Sequence, residues 1–201
     1  MLTTVLHGLM LGLGLILPVG VQNVFIFNQG ASQRTYMRAL PAILTASICD
    51  TGLILAAVLG MSFIVLSFSW LQVILYGCGF IFLLYMGWVL WKSKSGASSA
   101  QQVSTPGKQI VFAASVSLLN PHAIMDTIGV IGTNSLHYTG SDKWLFTLSV
   151  ILVSWLWFCG LAFAGRVVGK RDSSGLFLAR LNKISACLIW AVALYMGYQL
   201  L

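Results

Sequence analysis

The chain has 201 residues, of which 58% are hydrophobic and only 7% charged, and its mean hydropathy is +0.91. An average soluble domain is ~25% charged, and a soluble fold of this length has too little interior to hide so much apolar surface; disorder, which needs a polar and highly charged chain, is excluded by the same figures. What remains is an integral membrane protein, all-α by expectation, with the lipid bilayer as its solvent. The net charge is +7, from eleven Lys and Arg against four acids. All four acids are aspartates: Asp50, Asp126, Asp142 and Asp172. No basic cluster is interleaved with aromatics as a nucleic-acid surface would need, so no nucleic-acid partner is expected and the cations read as loops that set topology.

A membrane span needs ~20 predominantly apolar residues. Six such runs occur in chain order, at 3–27, 40–66, 70–91, 109–133, 144–165 and 176–200. They are long and continuously apolar, which predicts helices rather than the short alternating segments of a β-barrel. No Lys or Arg precedes the first run and no clear cleavage site follows it, so it is expected to be a span and not a signal peptide.

The first span carries Pro18 amid Gly12, Gly14 and Gly20, followed by Gln22 and Asn23. Gly8-x3-Gly12 in the same span reads as a helix-packing face. The second holds Asp50 in the stretch SICDTGLILAAVLG. The third ends in LYMGWVL at 84–90, and a Ser-, Gly- and Gln-rich stretch follows it, read as a flexible linker over 93–108. The fourth span carries Asn120, Pro121, His122, Asp126 and Thr127. The sixth contains LYMGYQL at 194–200. The cysteines Cys49, Cys78, Cys159 and Cys187 each lie in an apolar stretch and read as small buried hydrophobes with no disulfide framework.

The third and sixth spans thus share a motif at an offset of 110, and Pro18 with Asn23 matches Pro121 with Asp126 at an offset of 103. Two matches in corresponding spans argue for duplication: residues 1–92 and 109–201 as three-helix repeats. Because three is odd, the second copy must enter from the opposite side, which gives the inverted repeat of many secondary transporters. The loops after the first, third and fifth spans, together with the first two turns of the sixth, hold ten of the eleven Lys and Arg. The positive-inside rule places those loops in the cytoplasm and both termini outside.

Proline lacks an N–H and clashes with the carbonyl four residues back, so Pro18 and Pro121 are expected to break their spans and free the carbonyls of Gly14 and Ser117. A matched pair of breaks points to discontinuous helices framing a site near the midplane. Asp50 and Asp126 each cost ~2.5–3.5 kcal/mol at a span centre, and no Lys or Arg lies deep in any span to offset them. A cationic substrate or a proton supplies the missing partner. The candidate binding residues are therefore Asp50, Asp126, Gln22, Asn23, Asn120 and His122, with helix breaks at Pro18, Pro121, Gly14 and Gly20. No catalytic residue, metal site or cofactor is expected.

Leu17-Pro18-Val19-Gly20-Val21-Gln22-Asn23, Asn28-Gln29-Gly30, Asp50, Asn120-Pro121-His122 with Asp126-Thr127, and Ser154-Trp155-Leu156-Trp157-Phe158 together resemble the lysine/arginine exporter family, in order and over essentially the whole chain. The related homoserine/threonine exporters carry Pro-Gly-Pro in the first span; Pro18-Val19-Gly20 here resembles the basic-amino-acid branch. Trp157 and the charge-poor linker depart from the family pattern, and bear on the substrate more than on the class. The resemblance implies a bacterial inner-membrane exporter of L-arginine or L-lysine, driven by the membrane gradient, with Asp50 and Asp126 on the substrate path. Protons are the expected coupling ion, since proton and substrate would compete for one carboxylate. Gly-rich faces leave a homo-oligomer open. Three alternatives stand beside this reading: an exporter of neutral amino acids, an exporter of a divalent metal, and, from Asp50-Thr51-Gly52, an intramembrane aspartyl protease.

Overall fold

The computed structural model describes residues 1–18, 20–60, 69–92, 105–172 and 176–199, and among these every regular element is helical. In chain order they are α1 (Leu2–Ile16), α2 (Val21–Ser32), a 3-10 turn (Tyr36–Ala39), α3 (Leu40–Val58), α4 (Ser69–Lys92), α5 (Pro106–Leu118), α6 (Pro121–Asp126), a π-helical segment (Thr127–Gly132), α7 (Thr133–Ser135), α8 (Gly140–Arg171) and α9 (Leu176–Gln199). Among the described residues, Tyr36–Val58 and α8 are long and apolar enough to cross a membrane, and α1 with α2 makes a third if the broken pair counts as one span.

Residues 61–66 of the expected second span, 93–104 of the linker and the last two residues lie outside the described set. The helix after the linker begins at Pro106, inside the stretch expected to be loop. Proline fits there because the first helical position has no intrahelical partner for an N–H. α8 runs for 32 residues, well beyond the apolar run at 144–165. Asp142 in its first turn and Lys170 and Arg171 in its last complement the helix dipole, which carries the helix into polar sequence at both ends.

α8 is the continuous strut against which the broken α1–α2 pair lies. Lipid supplies no hydrophobic drive between helices, so close approach of backbones must hold them. Small residues provide it. A Cβ on Gly8 would come within 2.8 Å of the Phe146 carbonyl oxygen, and one on Gly12 within 3.3 Å of Val153, as the Gly8-x3-Gly12 spacing leads one to expect. Further along, Gly30 sits on the backbone of Ala162, and Gly165 and Gly169 sit on the backbone of Phe27 and Ala31. The pairings advance in the same chain direction, so α1 and α2 each cross α8 in the parallel sense.

α3 crosses α8 antiparallel. Ala42 and Ala46 cluster with Phe158 and Ala162, whereas Ile54 and Val58 cluster with Phe146 and Val150. α3 also packs on α5 and on the π segment. α4 and α9 form a second antiparallel pair. Gly87 receives the Trp190 ring and Gly197 receives the Phe80 ring, and the Trp190 indole donates to the Leu84 carbonyl at 3.2 Å.

Tyr85, Trp88, Tyr195 and Tyr198 are exposed, and the Lys92 ammonium lies 4.5 Å from the centre of the Trp88 ring. All four cysteines are free, but Cys78 and Cys187 are exposed rather than buried. An apolar side chain in a lipid-embedded helix has no need of the protein interior.

The glycine seam predicts its own sensitivity. Gly165→Leu should destabilise the folded protein by at least ~1–3 kcal/mol, the usual cost of overpacking. Gly160→Leu, on the same helix with nothing within 4 Å of the new Cβ, should leave the melting temperature in detergent unchanged.

Candidate functional site

The first break is built from four residues. α1 ends at Ile16 and α2 restarts at Val21, capped by Gly20 in an extended conformation (φ −95°, ψ 177°). The two helix axes differ by 83°. Gly14 does not belong to the break: helix is lost downstream of the missing Pro18 N–H, because residues before it keep their own donors. The Leu17 N–H still bonds the Leu13 carbonyl at 3.0 Å.

Pro18 has no N–H to offer the Gly14 carbonyl; at the break itself, Asn23 supplies a donor to the carbonyls of Ile16 and Pro18. Its amide nitrogen donates to Ile16 at 2.8 Å and to Pro18 at 2.9 Å. Its oxygen accepts from the Trp157 indole at 3.2 Å. Asn23 is buried, and the three bonds use both its donors and its acceptor.

The second break is shorter. α5 stops at Leu118, Asn120 caps α6 in an extended conformation, and Pro121 is the first helical residue. The two prolines therefore occupy different places: Pro18 precedes the cap of its helix, whereas Pro121 follows it. The Ser117 hydroxyl near this break is fully buried and has no hydrogen-bond partner among the described residues. After Asp126 the chain passes into the π segment, a local widening found often at functional sites. The side chains of Pro121 and His122 lie outside the described residues.

Asp50 sits mid-helix on α3. Gln22 of α2 donates to one carboxylate oxygen at 3.2 Å, and Ser154 of α8 donates to the other at 2.9 Å. Among the described residues its hydrogen-bond partners are thus neutral. The next residue, Thr51, accepts from the Trp155 indole at 3.0 Å and donates to the Ser47 carbonyl at 2.7 Å. Asp50-Thr51-Gly52 is therefore plain helix, not the strained loop an aspartyl protease requires.

These features enclose one cavity of about 260 Å³, near the lower bound of ~300 Å³ typical for small-ligand sites. Pro18, Gly20, Gln22, Asn23, Asn120, Asp50 and Asp126 all line it. The rest of the wall is mostly apolar, with Ile54, Val150, Phe158 and Ile189 among its members. Both halves of the chain contribute. The cavity thus offers two carboxyl groups, three neutral amides and the N-terminal end of α2 in a largely apolar wall.

Ser154 and Trp157 are the site residues that charge and proline positions did not single out. They lie three apart, on one face of α8. A serine interrupting the apolar run of the fifth span was the available signal.

A family model described as LysE type translocator matches residues 13–200. YisU of Bacillus subtilis (strain 168), which carries a provisional name as an amino-acid transporter, is 53% identical over 200 residues, covering 99% of this chain and 91% of its own. The arginine exporter protein ArgO of Escherichia coli (strain K12) is 31% identical over 196 residues, covering 95% and 92%. ArgO of Klebsiella pneumoniae (strain 342) is 32% identical over 205 residues, covering 100% and 94%. No solved structure matches the chain. A match across nearly the whole sequence, in a helical membrane chain with a cavity at its helix breaks, means that the chain belongs to the LysE type translocator family: it is a membrane transporter of the amino-acid exporter class and not an enzyme.

Proposed function

We propose that the protein exports a basic amino acid, L-arginine or L-lysine, across the bacterial cytoplasmic membrane in exchange for protons. The observation that carries this reading is Asp50: a carboxyl group lining an apolar cavity, held by the neutral donors Gln22 and Ser154. A carboxylate inside a membrane needs a positive charge or a proton to be there at all. A guanidinium or ammonium side chain meets that need. Asp126 lines the same cavity and adds a second carboxyl group to it. The ArgO relatives, named as arginine exporters, support the same substrate.

The substrate's α-carboxylate then faces the N-terminal turn of α2, where backbone N–H groups and the helix dipole favour an anion. Gln22, Asn120 and His122 complete the polar contacts. Proton and substrate cation compete for the same carboxylate oxygens, so release of one accompanies capture of the other. That is the simplest chemical basis for antiport. In a neutral-amino-acid exporter, two carboxyl groups in the cavity would have no side-chain charge to meet.

The architecture proposed for this transport is six spans in two inverted repeats, residues 1–92 and 109–201, joined by the cytoplasmic linker at 93–108. The contact pattern supports it. Exchanging spans one and four, two and five, and three and six maps the α1–α2 packing on α8 onto the packing of α3 with α5 and the π segment. The α3–α8 and α4–α9 pairs map onto themselves. Gly87 under Trp190 and Gly197 under Phe80 are the same contact seen from each copy, offset by 110. The loops after spans one, three and five are assigned to the cytoplasm on the charge bias, and both termini to the outside.

Two experiments test these statements. In proteoliposomes, labelled arginine should exchange with internal arginine or lysine and not with threonine. Asp50→Asn and Asp126→Asn should each abolish that exchange while the protein still inserts and purifies as a single species. Wild-type exchange rates in both variants would sink the mechanism. For topology, a background lacking the four native cysteines should show Ser141→Cys labelled by an impermeant thiol reagent on intact cells. Asp172→Cys should label only after permeabilisation, and the reverse pattern would invert the orientation.

A further inference from the structure

We infer that Trp157 is a positioning residue for the helix break, acting through Asn23, and that Asn23 serves as a clasp on the break rather than as a ligand for substrate. The inference rests on the transport reading above but not on which amino acid is carried.

The argument starts from the backbone. A span interrupted at Pro18 leaves carbonyls that cannot be satisfied by the next helical turn, and in a dry cavity each needs a donor. The Asn23 amide nitrogen meets two of them, Ile16 and Pro18, from the third residue of α2. A single side chain thereby ties the end of α1 to the start of α2. An asparagine amide has a pseudo-symmetric shape, and its flipped form would turn oxygen toward both carbonyls. The Trp157 indole bonds the Asn23 oxygen and favours the orientation that works. Only donors can satisfy the carbonyls, and only an acceptor can satisfy the indole, so the chain of bonds has one arrangement.

Its position gives the clasp a role in transport. Trp157 lies three residues from Ser154, which donates to Asp50 at 2.9 Å. One turn of α8 therefore touches both the carboxylate and the break. When a cation or a proton takes up an Asp50 oxygen, the Ser154 bond must readjust, and the same turn carries Trp157 and with it Asn23. The shift in α8 that loading imposes on one end of the turn is felt at the hinge on the other. Loading and the angle between α1 and α2 are coupled through four hydrogen bonds and a helical turn. With both donors engaged, Asn23 has no N–H to spare for the substrate's carboxylate in this state.

The test is a double-mutant cycle in reconstituted protein, assayed with whichever amino acid the wild type exchanges. Trp157→Phe removes the indole N–H and keeps an aromatic ring. Asn23→Ala removes the clasp. Trp157→Phe should lower the maximal exchange rate about fivefold, the equivalent of roughly one net hydrogen bond, with the half-saturating concentration changed less than about twofold. Asn23→Ala should lower the rate further, and the double variant should be no slower than Asn23→Ala alone, the non-additivity expected of residues acting through one contact. Trp155→Phe, which loses a bond to Thr51 instead, should add to Asn23→Ala in full. A rise in the half-saturating concentration of Asn23→Ala at unchanged maximal rate would make Asn23 a substrate ligand and overturn the inference. Additive losses for Trp157→Phe and Asn23→Ala would overturn it equally. A wild type that exchanges some amino acid other than arginine or lysine refutes the substrate class proposed above and leaves this comparison intact. A wild type that exchanges none refutes the transport role and the coupling together.

Discussion

A carboxylate inside the bilayer is the constraint around which the rest of this molecule is arranged. Asp50 carries a cost of ~2.5–3.5 kcal/mol at a span centre, and nothing in its own helix reduces it. Helices α2 and α8 each bring it one neutral donor. For Gln22 to arrive there, the first span must be interrupted, since α2 has to depart from the axis of α1 before it can present its first turn to the cavity. For Ser154 to arrive there, α8 must lie close against both pieces. The glycine seam on α8 is what permits that approach, and Asn23 is what makes the interruption tolerable in a dry environment. Charge, break and seam are therefore one device.

The arrangement also separates orienting a charge from neutralising it. Gln22 and Ser154 fix the direction of the carboxylate without satisfying its charge. Such a group keeps its appetite for a cation and has its geometry set beforehand, which lowers the ordering cost of binding. Transport needs a further property: binding must alter the relation between elements on either side of the cavity. The Ser154–Trp157 turn, joined at one end to Asp50 and at the other to the break, is placed for this.

Much of this was legible from sequence. Composition alone named the solvent, and Pro18, Gln22, Asn23, Asp50, Asn120 and Asp126 were brought by the fold to one cavity. Each advertises itself by being out of place in an apolar run. The roles within the set were less legible. Asn23 looks like any other polar cavity residue until its bonds to the Ile16 and Pro18 carbonyls are seen. Gly14 looks like part of the break because it stands among glycines near Pro18, yet it lies one turn upstream, where helix persists. The sequence match of Pro18 with Pro121 overstated their likeness, because helix capping depends on whether the cap falls before or after the proline. Ser154 and Trp157 announce nothing by charge; serine and tryptophan are ordinary in membrane helices, and only the placement of α8 against α2 and α3 gives them partners. The length of α8 was hidden for a related reason: its ends are polar sequence whose charges complement the helix dipole, which an apolar-run reading truncates.

The central claim is that Asp50 is the cation acceptor of the cavity, and direct binding tests it with no reliance on reconstituted flux. Isothermal titration of arginine into the purified protein in detergent should give a saturable site in the wild type and in Gly160→Leu. Asp50→Asn, whose side chain keeps the shape and one acceptor oxygen but cannot bear charge, should show no measurable heat of binding over the same range. Arginine binding to Asp50→Asn with wild-type affinity would contradict the account, because the carboxylate would then be a structural fixture and the substrate cation would have to be met elsewhere.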